Sequence, residues 1–290
     1  MFLDKLVTAS SGRFAVRDFG GAGPDILLVH GTGHNLEAWG LVAALLEGRF
    51  HAVAFDMRGH GQTPVNSKDA EEYWRDIGAV IAALGLRSPV LVGHSAGGYA
   101  VTAFAASGGD CAGVVIVDGF VLDGRETPEG AHAWDIPEQQ LWDMFRYGWQ
   151  AERESVERYV RDVCAAADQD WLNKGVPPDS LAKLTRRSFF PDGDRWLRRP
   201  TMEEIRITGR PDPGKPIFPS LDVYSKVRVP SGFLFAQDGI YKNRKQDVQA
   251  LSLQGEGRLF SEVACGHNVP LLCPGAVAGM VEKIVFWADV

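Results

Sequence analysis

The feature of this sequence that most constrains its fold is a regular alternation of short apolar runs with longer segments of helical spacing. Uninterrupted apolar runs are typical of strands that are buried on both faces of a parallel sheet. Segments with helical spacing lie between such runs, at 36–46, 70–84 and 97–106. This alternation predicts right-handed crossovers and a parallel sheet covered by helices on both faces, with an antiparallel edge hairpin at 2–8 and 13–19. The early apolar runs are DILLVHG, HAVAFD, PVLVGH and GVVIVDG.

The pattern changes after the fourth run. Residues 122–227 contain no run that indicates a strand, but they are rich in aromatic residues and include two amphipathic segments, PEQQLWDMFRYGWQ and AERESVERYVRDVCAAA. Strand-like runs resume with SGFLFAQD and GRLFSEVA, and 275–287 reads as a closing helix. We therefore predict an α/β core formed by residues 1–121 and 228–290, with a helical insertion at 122–227.

Composition excludes several classes of partner. The chain has 290 residues, of which 45% are apolar and 23% charged, and its formal net charge of −7 comes from acids and bases mixed along the sequence. That mixture indicates neither nucleic-acid binding nor an anionic-membrane patch, so we expect a small-molecule substrate. Asp4 and Lys5 interrupt the early apolar run, and the four cysteines lack the spacing of a zinc site. We expect a cytoplasmic location; the sequence leaves the oligomeric state open.

One serine lies where a nucleophile is expected. Gly93, His94, Ser95, Ala96 and Gly97 form a G-x-S-x-G pattern between an apolar strand and a helix of small residues. A sharp strand-to-helix turn strains the central residue and exposes its side chain at the edge of the sheet. The N-terminus of the following helix directs backbone N–H groups towards any anion that forms there. The pattern predicts a nucleophilic serine.

A serine hydroxyl needs a general base, and the base needs a group that orients it. His267 follows the run RLFSEVACG, and Asp238 ends the run SGFLFAQD, so the chain order is serine, acid, histidine. In a parallel sheet these positions share the carboxyl edge. We predict Asp238 as the acid, and Asp118, at the end of GVVIVDG, as the alternative. Asp118→Asn would then distinguish the two.

With these motifs together, the chain resembles the α/β-hydrolase superfamily over nearly its whole length. The resemblance implies that the backbone N–H groups of Thr32 and Ala96 form an oxyanion hole, and that the insertion is a cap over Ser95. It also implies no cofactor, and the histidines lack the spacing of a metal pair. The motifs that carry it are HGTG, FDMRGHGQT, GHSAGG, the strand that ends at Asp238, and GHNVPLLCP.

A cap over the serine places some of its aromatic residues against the substrate. His34 lies beside the proposed oxyanion loop, and Tyr99 follows the proposed nucleophile turn. With the aromatic side chains of the cap, they favour an apolar or aromatic substrate. The predicted substrate-binding residues are His34, Tyr99, Trp134, Trp142, Phe145 and Trp149.

The predicted function is that of a serine hydrolase that cleaves a small apolar or aromatic carboxylic ester or lactone through an acyl-enzyme. Serine at position 95 disfavours epoxide hydrolases and haloalkane dehalogenases, which use an aspartate nucleophile. Carbon–carbon bond hydrolases and perhydrolases keep the same three residues and stay as alternatives. A ligand receptor on a hydrolase scaffold, without turnover, is the alternative from outside enzymology.

Overall fold

The structure, a computed structural model, describes residues 4–125 and 137–288. A central sheet of eight strands runs through the described residues in the order β1-β2-β4-β3-β5-β6-β10-β11. The strands are β1 Asp4–Ala9, β2 Gly12–Asp18, β3 Asp25–Val29, β4 His51–Phe55, β5 Val90–His94, β6 Gly113–Val117, β10 Ser231–Asp238 and β11 Arg258–Gly266.

The sheet is mostly parallel, as the sequence predicts. β1 and β2 form an antiparallel hairpin with Asp4 opposite Arg17, and β2 also pairs antiparallel with β4. Every other neighbouring pair in this sheet is parallel. The carboxyl ends of β3, β5, β6, β10 and β11 therefore meet at one edge, where loops from several strands can build a single site.

Helices cover both faces of the sheet because the strands are apolar on both sides. In β3, Leu27 and Val29 pack into one layer with the helices at 72–84 and 96–106, while Ile26 and Leu28 pack into the other with the helices at 40–46 and 274–288. No helix in the described ranges is long and apolar enough to cross a bilayer. The core helices are α1 Gly40–Leu46, preceded by the 3₁₀ turn Leu36–Trp39, α2 Glu72–Leu84, α3 Ala96–Ala106, α8 Lys245–Leu253, α9 Val269–Leu272 and α10 Pro274–Ala288.

The segment between β6 and β10 contains a small sheet that the sequence analysis did not predict. β7, β9 and β8 pair antiparallel in that order, and Gly193 with φ of 63° helps to form the tight turn between β8 and β9. These strands are short and partly exposed, so they lack the apolar runs that identified the central strands. The elements are α4 Glu138–Phe145, β7 Gln150–Ala151, α5 Arg153–Ala166, the 3₁₀ turn Ala167–Gln169, α6 Pro178–Arg187, β8 Phe189–Asp192, β9 Arg195–Arg198, α7 Met202–Thr208 and the 3₁₀ turn Leu221–Lys226.

A polar network holds this segment on the core. The carboxylate of Asp56 has no solvent exposure, and its Oδ2 lies 2.9 Å from Nη2 of Arg187, at the end of α6. The same carboxylate accepts backbone hydrogen bonds from Leu36 and Gln62, each at 2.8 Å. We call these groups, with four further hydrogen bonds, the docking network. The further contacts join Gln62 Nε2 to the carbonyl oxygens of Arg187 and Phe189, Asn35 Nδ2 to the carbonyl oxygen of Leu184, and Ser67 N to Glu204 Oε2.

Candidate active site

Ser95 forms the turn between β5 and α3 in a backbone conformation that residues with a side chain rarely adopt. Its φ is 54° and its ψ is −124°. Such strain persists only where the surrounding structure enforces it, and it clusters at functional sites. Here the Ser95 N–H donates to the carbonyl oxygen of Val117 at the end of β6, with a distance of 3.0 Å. The turn is thus tied to the neighbouring strand.

Glycines make this turn sterically possible. A β-carbon at Gly93 would overlap the carbonyl oxygen of Gly97, and one at Gly119 would overlap the carbonyl oxygen of Ser95. Both positions are therefore restricted by close backbone approach. The G-x-S-x-G pattern forms the nucleophile turn that its sequence context predicts.

His267 is held by a fully buried carboxylate at the end of β6. Its Nδ1 lies 2.6 Å from Oδ2 of Asp118, and both residues are buried. Asp118 itself accepts backbone N–H groups from Ala236 on Oδ1 and from Ile240 on Oδ2, each at 3.3 Å. An acceptor on Nδ1 fixes the proton there and leaves Nε2 as the basic nitrogen. The pair is arranged as the acid and base of a catalytic triad.

Asp238 does not occupy the position that the sequence analysis assigns to it. It is exposed at the end of β10, after an irregularity in the pairing of β10 with β11 between Ala236 and Asp238. The next residue, Gly239, packs so closely on the Asp118 carboxylate that a β-carbon would overlap Oδ2. The loop after β10 therefore covers the acid but does not supply it. Asp118, the alternative, is the residue that contacts His267.

The loop after β3 approaches Ser95 from the other side. A β-carbon at Gly31 would lie 2.7 Å from Cβ of Ser95 and 3.3 Å from its Oγ. Thr32 and Ala96 line the same cavity as Ser95, and Gly33 has a φ of 77°. The predicted oxyanion residues therefore flank the serine, with Ala96 as the first residue of α3.

Gly31→Ala should lower kcat/KM by about 10- to 100-fold, because the added methyl group would displace the Ser95 side chain. The matched control is Gly40→Ala, since a β-carbon at Gly40 meets no other atom within 4 Å. Steady-state kinetics and the thermal unfolding midpoint should be measured for both variants. Equal activity in the two variants would show that contact with Gly31 does not position the nucleophile.

Two further histidines, the buried His94 and the half-buried His34, lie beside His267. Nε2 of His94 lies 2.8 Å from the carbonyl oxygen of His267, and the ring of His34 stacks on that of His94 at 5.4 Å. Burial, followed by the neighbouring His267, lowers the pKa of His34 to about 3 and that of His94 well below its usual value. Both rings are therefore neutral at pH 7. A neutral His94 can donate a hydrogen from Nε2 to the His267 backbone and hold the loop that carries the base.

A cavity of about 1160 Å³ opens above Ser95 and His267. His34, Tyr99 and Phe145 line it, as predicted for substrate-binding residues. Trp142 and Trp149 are not among the lining residues, contrary to their prediction. The ring of Trp149 packs against Tyr159 and Phe189, within the insertion, and Trp142 lies under the Arg146 guanidinium. Trp134 lies outside the described residues.

Tyr147 and Arg198 are among the polar residues of the cavity wall that were not predicted from the sequence. Tyr147 belongs to the aromatic-rich insertion, and its hydroxyl touches the loop after β3, where a β-carbon at Gly33 would overlap it. Arg198 stands beside Arg199 in the run WLRRP, and nothing in the sequence separates the two. The structure separates them, because Arg198 lines the cavity and Arg199 donates to the carbonyl oxygen of Thr63 and to Oδ1 of Asn66.

Comparison with known proteins gives the same fold. The model of the Alpha/beta hydrolase family matches residues 26–280. A non-heme haloperoxidase of Rhodococcus erythropolis is 33% identical over 221 residues, which cover 68% of this chain and 78% of that protein. Protein phosphatase methylesterase 1 of Mus musculus is 44% identical over 93 residues. That match covers 29% of this chain and 24% of the methylesterase, so the chain spans about a quarter of that relative's length.

Solved structures resemble the whole chain. E-2-(acetamidomethylene)succinate hydrolase superposes with a TM-score of 0.75 and 20% identity, covering 99% of this chain and 100% of that one. Carboxylesterase CesB (YbfK) from Bacillus subtilis gives a TM-score of 0.66 and 16% identity, covering 98% and 92%. Identities this low establish the shared fold alone.

Proposed function

This chain belongs to the alpha/beta hydrolase family, and we propose that it is a serine hydrolase that cleaves a small carboxylic ester or lactone with an apolar or aromatic body. The observation that carries the proposal is the buried contact between His267 and Asp118 beside the strained turn of Ser95. Ser95 and His267 both line the large cavity, where a substrate carbonyl could reach them.

The mechanism is acyl transfer in two steps. Ser95 Oγ attacks the carbonyl carbon while Nε2 of His267 takes the hydroxyl proton, and Asp118 stabilises the imidazolium through Nδ1. Backbone N–H groups of Thr32 and Ala96 stabilise the oxyanion. His267 then protonates the leaving alcohol, which gives an ester on Ser95. Water activated by His267 attacks this acyl-enzyme and releases the acid.

The lining of the cavity supports an apolar or aromatic substrate body. Side chains on its wall include Leu141, Phe145, Leu184, Tyr99 and Val121. Clefts of several hundred Å³ lined mainly by such residues are typical of small-molecule sites. The family relatives include a methylesterase, whose name describes ester cleavage.

The test is a panel of aromatic and short-chain p-nitrophenyl esters and lactones, with a serine-directed phosphonate as a second readout. We expect turnover of at least one ester class and, by peptide mass spectrometry, phosphonylation at Ser95. Labelling without turnover of any ester or lactone would reject ester hydrolysis and favour carbon–carbon bond cleavage. If neither labelling nor turnover is observed, Ser95 is rejected as a nucleophile and a receptor without turnover is favoured.

A perhydrolase is the second candidate, because the haloperoxidase relative matches 78% of its own length. In that reaction hydrogen peroxide, in place of water, attacks the acyl-enzyme on Ser95. The products are a peroxycarboxylic acid and the free serine, with His267 accepting the peroxide proton. The assay mixes an acetate ester with hydrogen peroxide. The peracid that forms oxidises a halide, and the oxidised halide is detected by its reaction with a dye. A rate no greater than that of the protein-free mixture would exclude it.

A further inference from the structure

Among the described residues, a buried arginine on the wall of the cavity above Ser95 has no acidic partner. Arg198, the last residue of β9, is 8% exposed and lines the same cavity as Ser95 and His267. Within the described ranges, no carboxylate oxygen lies within 4.0 Å of its guanidinium. The positive charge is thus buried and faces space that a substrate would occupy.

The contacts that Arg198 does make are neutral and long. Its Nε donates to the carbonyl oxygen of Phe145 at 3.4 Å, and its Nη1 donates to that of Thr185 at 3.3 Å. The rings of Tyr159 and Phe189 lie 5.6 Å and 5.4 Å from its central carbon. These groups orient the guanidinium but do not neutralise it.

Other buried arginines of this chain show what a structural role looks like. Arg58 contacts both oxygens of Asp76 at 2.6 and 2.7 Å, and Arg187 pairs with Asp56 and Asp4. Buried charges are normally paired in this way, because desolvating a lone ion is costly. Arg199, which is 4% exposed, also lacks a carboxylate partner among the described residues, but it does not line the cavity and donates to the carbonyl oxygen of Thr63 and to Oδ1 of Asn66. Arg198 differs because it lines the cavity, where a ligand can supply an anion.

A hydroxyl group lines the same cavity nearby, since Gly148, the residue after Tyr147, donates its N–H to the carbonyl oxygen of Arg198 at 2.9 Å. Tyr147 is buried, its hydroxyl packs against Gly33 of the oxyanion loop, and it lines the cavity with Arg198. Burial raises the pKa of Tyr147, so the phenol keeps its proton and can donate a hydrogen bond. A guanidinium fork with a neutral hydroxyl beside it matches the two oxygens of a carboxylate.

The acidic residues of the cavity wall leave this position free for an anion. Asp143 and Asp162 are exposed to solvent. Asp123 pairs with Arg244 at 3.1 Å, and Asp170 accepts hydrogen bonds from the loop that follows it, including one from Leu172.

We propose that Arg198 and Tyr147 form a subsite for one carboxylate of the substrate, so that the ester has an apolar or aromatic body and a single acidic group. This inference rests on the proposed serine hydrolase function and narrows its substrate class. One cation beside one neutral donor suits a monoanion better than a phosphate dianion. Arg198 binds the substrate and takes no part in proton transfer.

The test compares acidic with neutral esters. The acidic series is the 4-nitrophenyl half-esters of succinate, glutarate and adipate. The neutral partner of each keeps the 4-nitrophenyl ester and carries a methyl ester on the other carboxyl group. We expect the wild-type protein to prefer one acidic ester, and Arg198→Met to lower kcat/KM for it by about 10- to 100-fold, the range for hydrogen bonds to charged groups. For the neutral partner, kcat/KM should change by less than about threefold, because that ester makes no charge contact with Arg198 that the variant could lose.

Arg195→Met is the matched control, because Arg195 is the exposed first residue of the same strand and does not line the cavity. It should leave both ester series unchanged. If Arg198→Met proves unstable, Tyr147→Phe and Arg198→Lys replace it, and both should reduce the preference for the acidic ester. Equal losses on acidic and neutral esters, in variants that unfold at the wild-type temperature, would overturn the subsite.

Binding without turnover separates this inference from the proposed function. Titration of adipate half-methyl ester into Ser95→Ala, followed by calorimetry, should give binding that Arg198→Met removes in the double variant. If no ester is hydrolysed but this binding depends on Arg198, ester hydrolysis is wrong and the carboxylate subsite stands. If esters are hydrolysed and neither binding nor acid preference depends on Arg198, the subsite is wrong and the hydrolase stands.

Discussion

Ser95→Ala should lower kcat for ester hydrolysis by about 10⁶-fold, since loss of a triad nucleophile leaves only the oxyanion site and substrate binding. The reason is chemical, because the variant lacks the oxygen that becomes acylated. It should also lose all labelling by the phosphonate. The measurement is kcat of the purified variant on the best ester of the panel. Substrate binding is measured separately.

Ser225→Ala is the control, because Ser225 is an exposed serine that does not line the cavity. It should keep wild-type turnover and labelling. Persistent phosphonate labelling in Ser95→Ala, at any other serine, would show that the nucleophile has been misassigned.

Asp118→Asn should lower kcat/KM by about 10⁴-fold, the loss seen when a triad acid becomes an amide. Both oxygens of Asp118 accept hydrogen bonds, Oδ1 from the Ala236 N–H and Oδ2 from His267 and the Ile240 N–H. An amide NH₂ group at either position would face a donor. The variant would therefore lose both the correct tautomer of His267 and its stabilising charge.

Asp238→Asn separates the two candidate acids. Its side chain is exposed, so activity should stay within about threefold of wild type, as for most surface substitutions. Thermal unfolding should accompany the kinetics, because Asp118→Asn also places an amide in a fully buried site. A large loss in Asp238→Asn with little loss in Asp118→Asn would refute the assignment from the structure.

The central sheet, its order of strand and helix, and two of the three candidate catalytic positions, Ser95 and His267, could be predicted from the sequence. Local signals carried these predictions. Buried parallel strands produce apolar runs, and the turn at Ser95 requires small neighbours whose identity is visible in the motif. His267 follows a strand of the same sheet, so topology alone brings it to the edge where Ser95 lies.

The acid could not be chosen in the same way. Asp118 and Asp238 both end strands, and β6 and β10 are neighbours in the sheet, so both reach the same edge. What separates them is the path of the chain after Ala236, where the pairing shifts and Gly239 turns over the Asp118 carboxylate. That difference depends on three-dimensional packing and leaves no periodic pattern in the sequence.

Cavity residues from the insertion were the hardest to predict. Trp149 and Tyr147 are two residues apart in one aromatic segment, yet Trp149 packs on Phe189 while Tyr147 reaches the oxyanion loop. The short strands β7 and β9 decide which side chains face the cavity, and their sequences are too brief to show alternation. Arg198 becomes distinctive only because it lines the cavity and has no acidic partner among the described residues.

The docking network gives this molecule a property that concerns its evolution and engineering. Because the buried Asp56 carboxylate joins α6 to loops of the core, removing Arg187 with the insertion would leave an unpaired charge in the interior. Core and insertion should consequently melt in one cooperative transition. The insertion could be exchanged for that of a related hydrolase to obtain a new specificity. The loop that contains Asp56 and Gln62 would then have to be exchanged as well. A change of substrate range through the insertion would therefore require a matching change in the core loop that holds it.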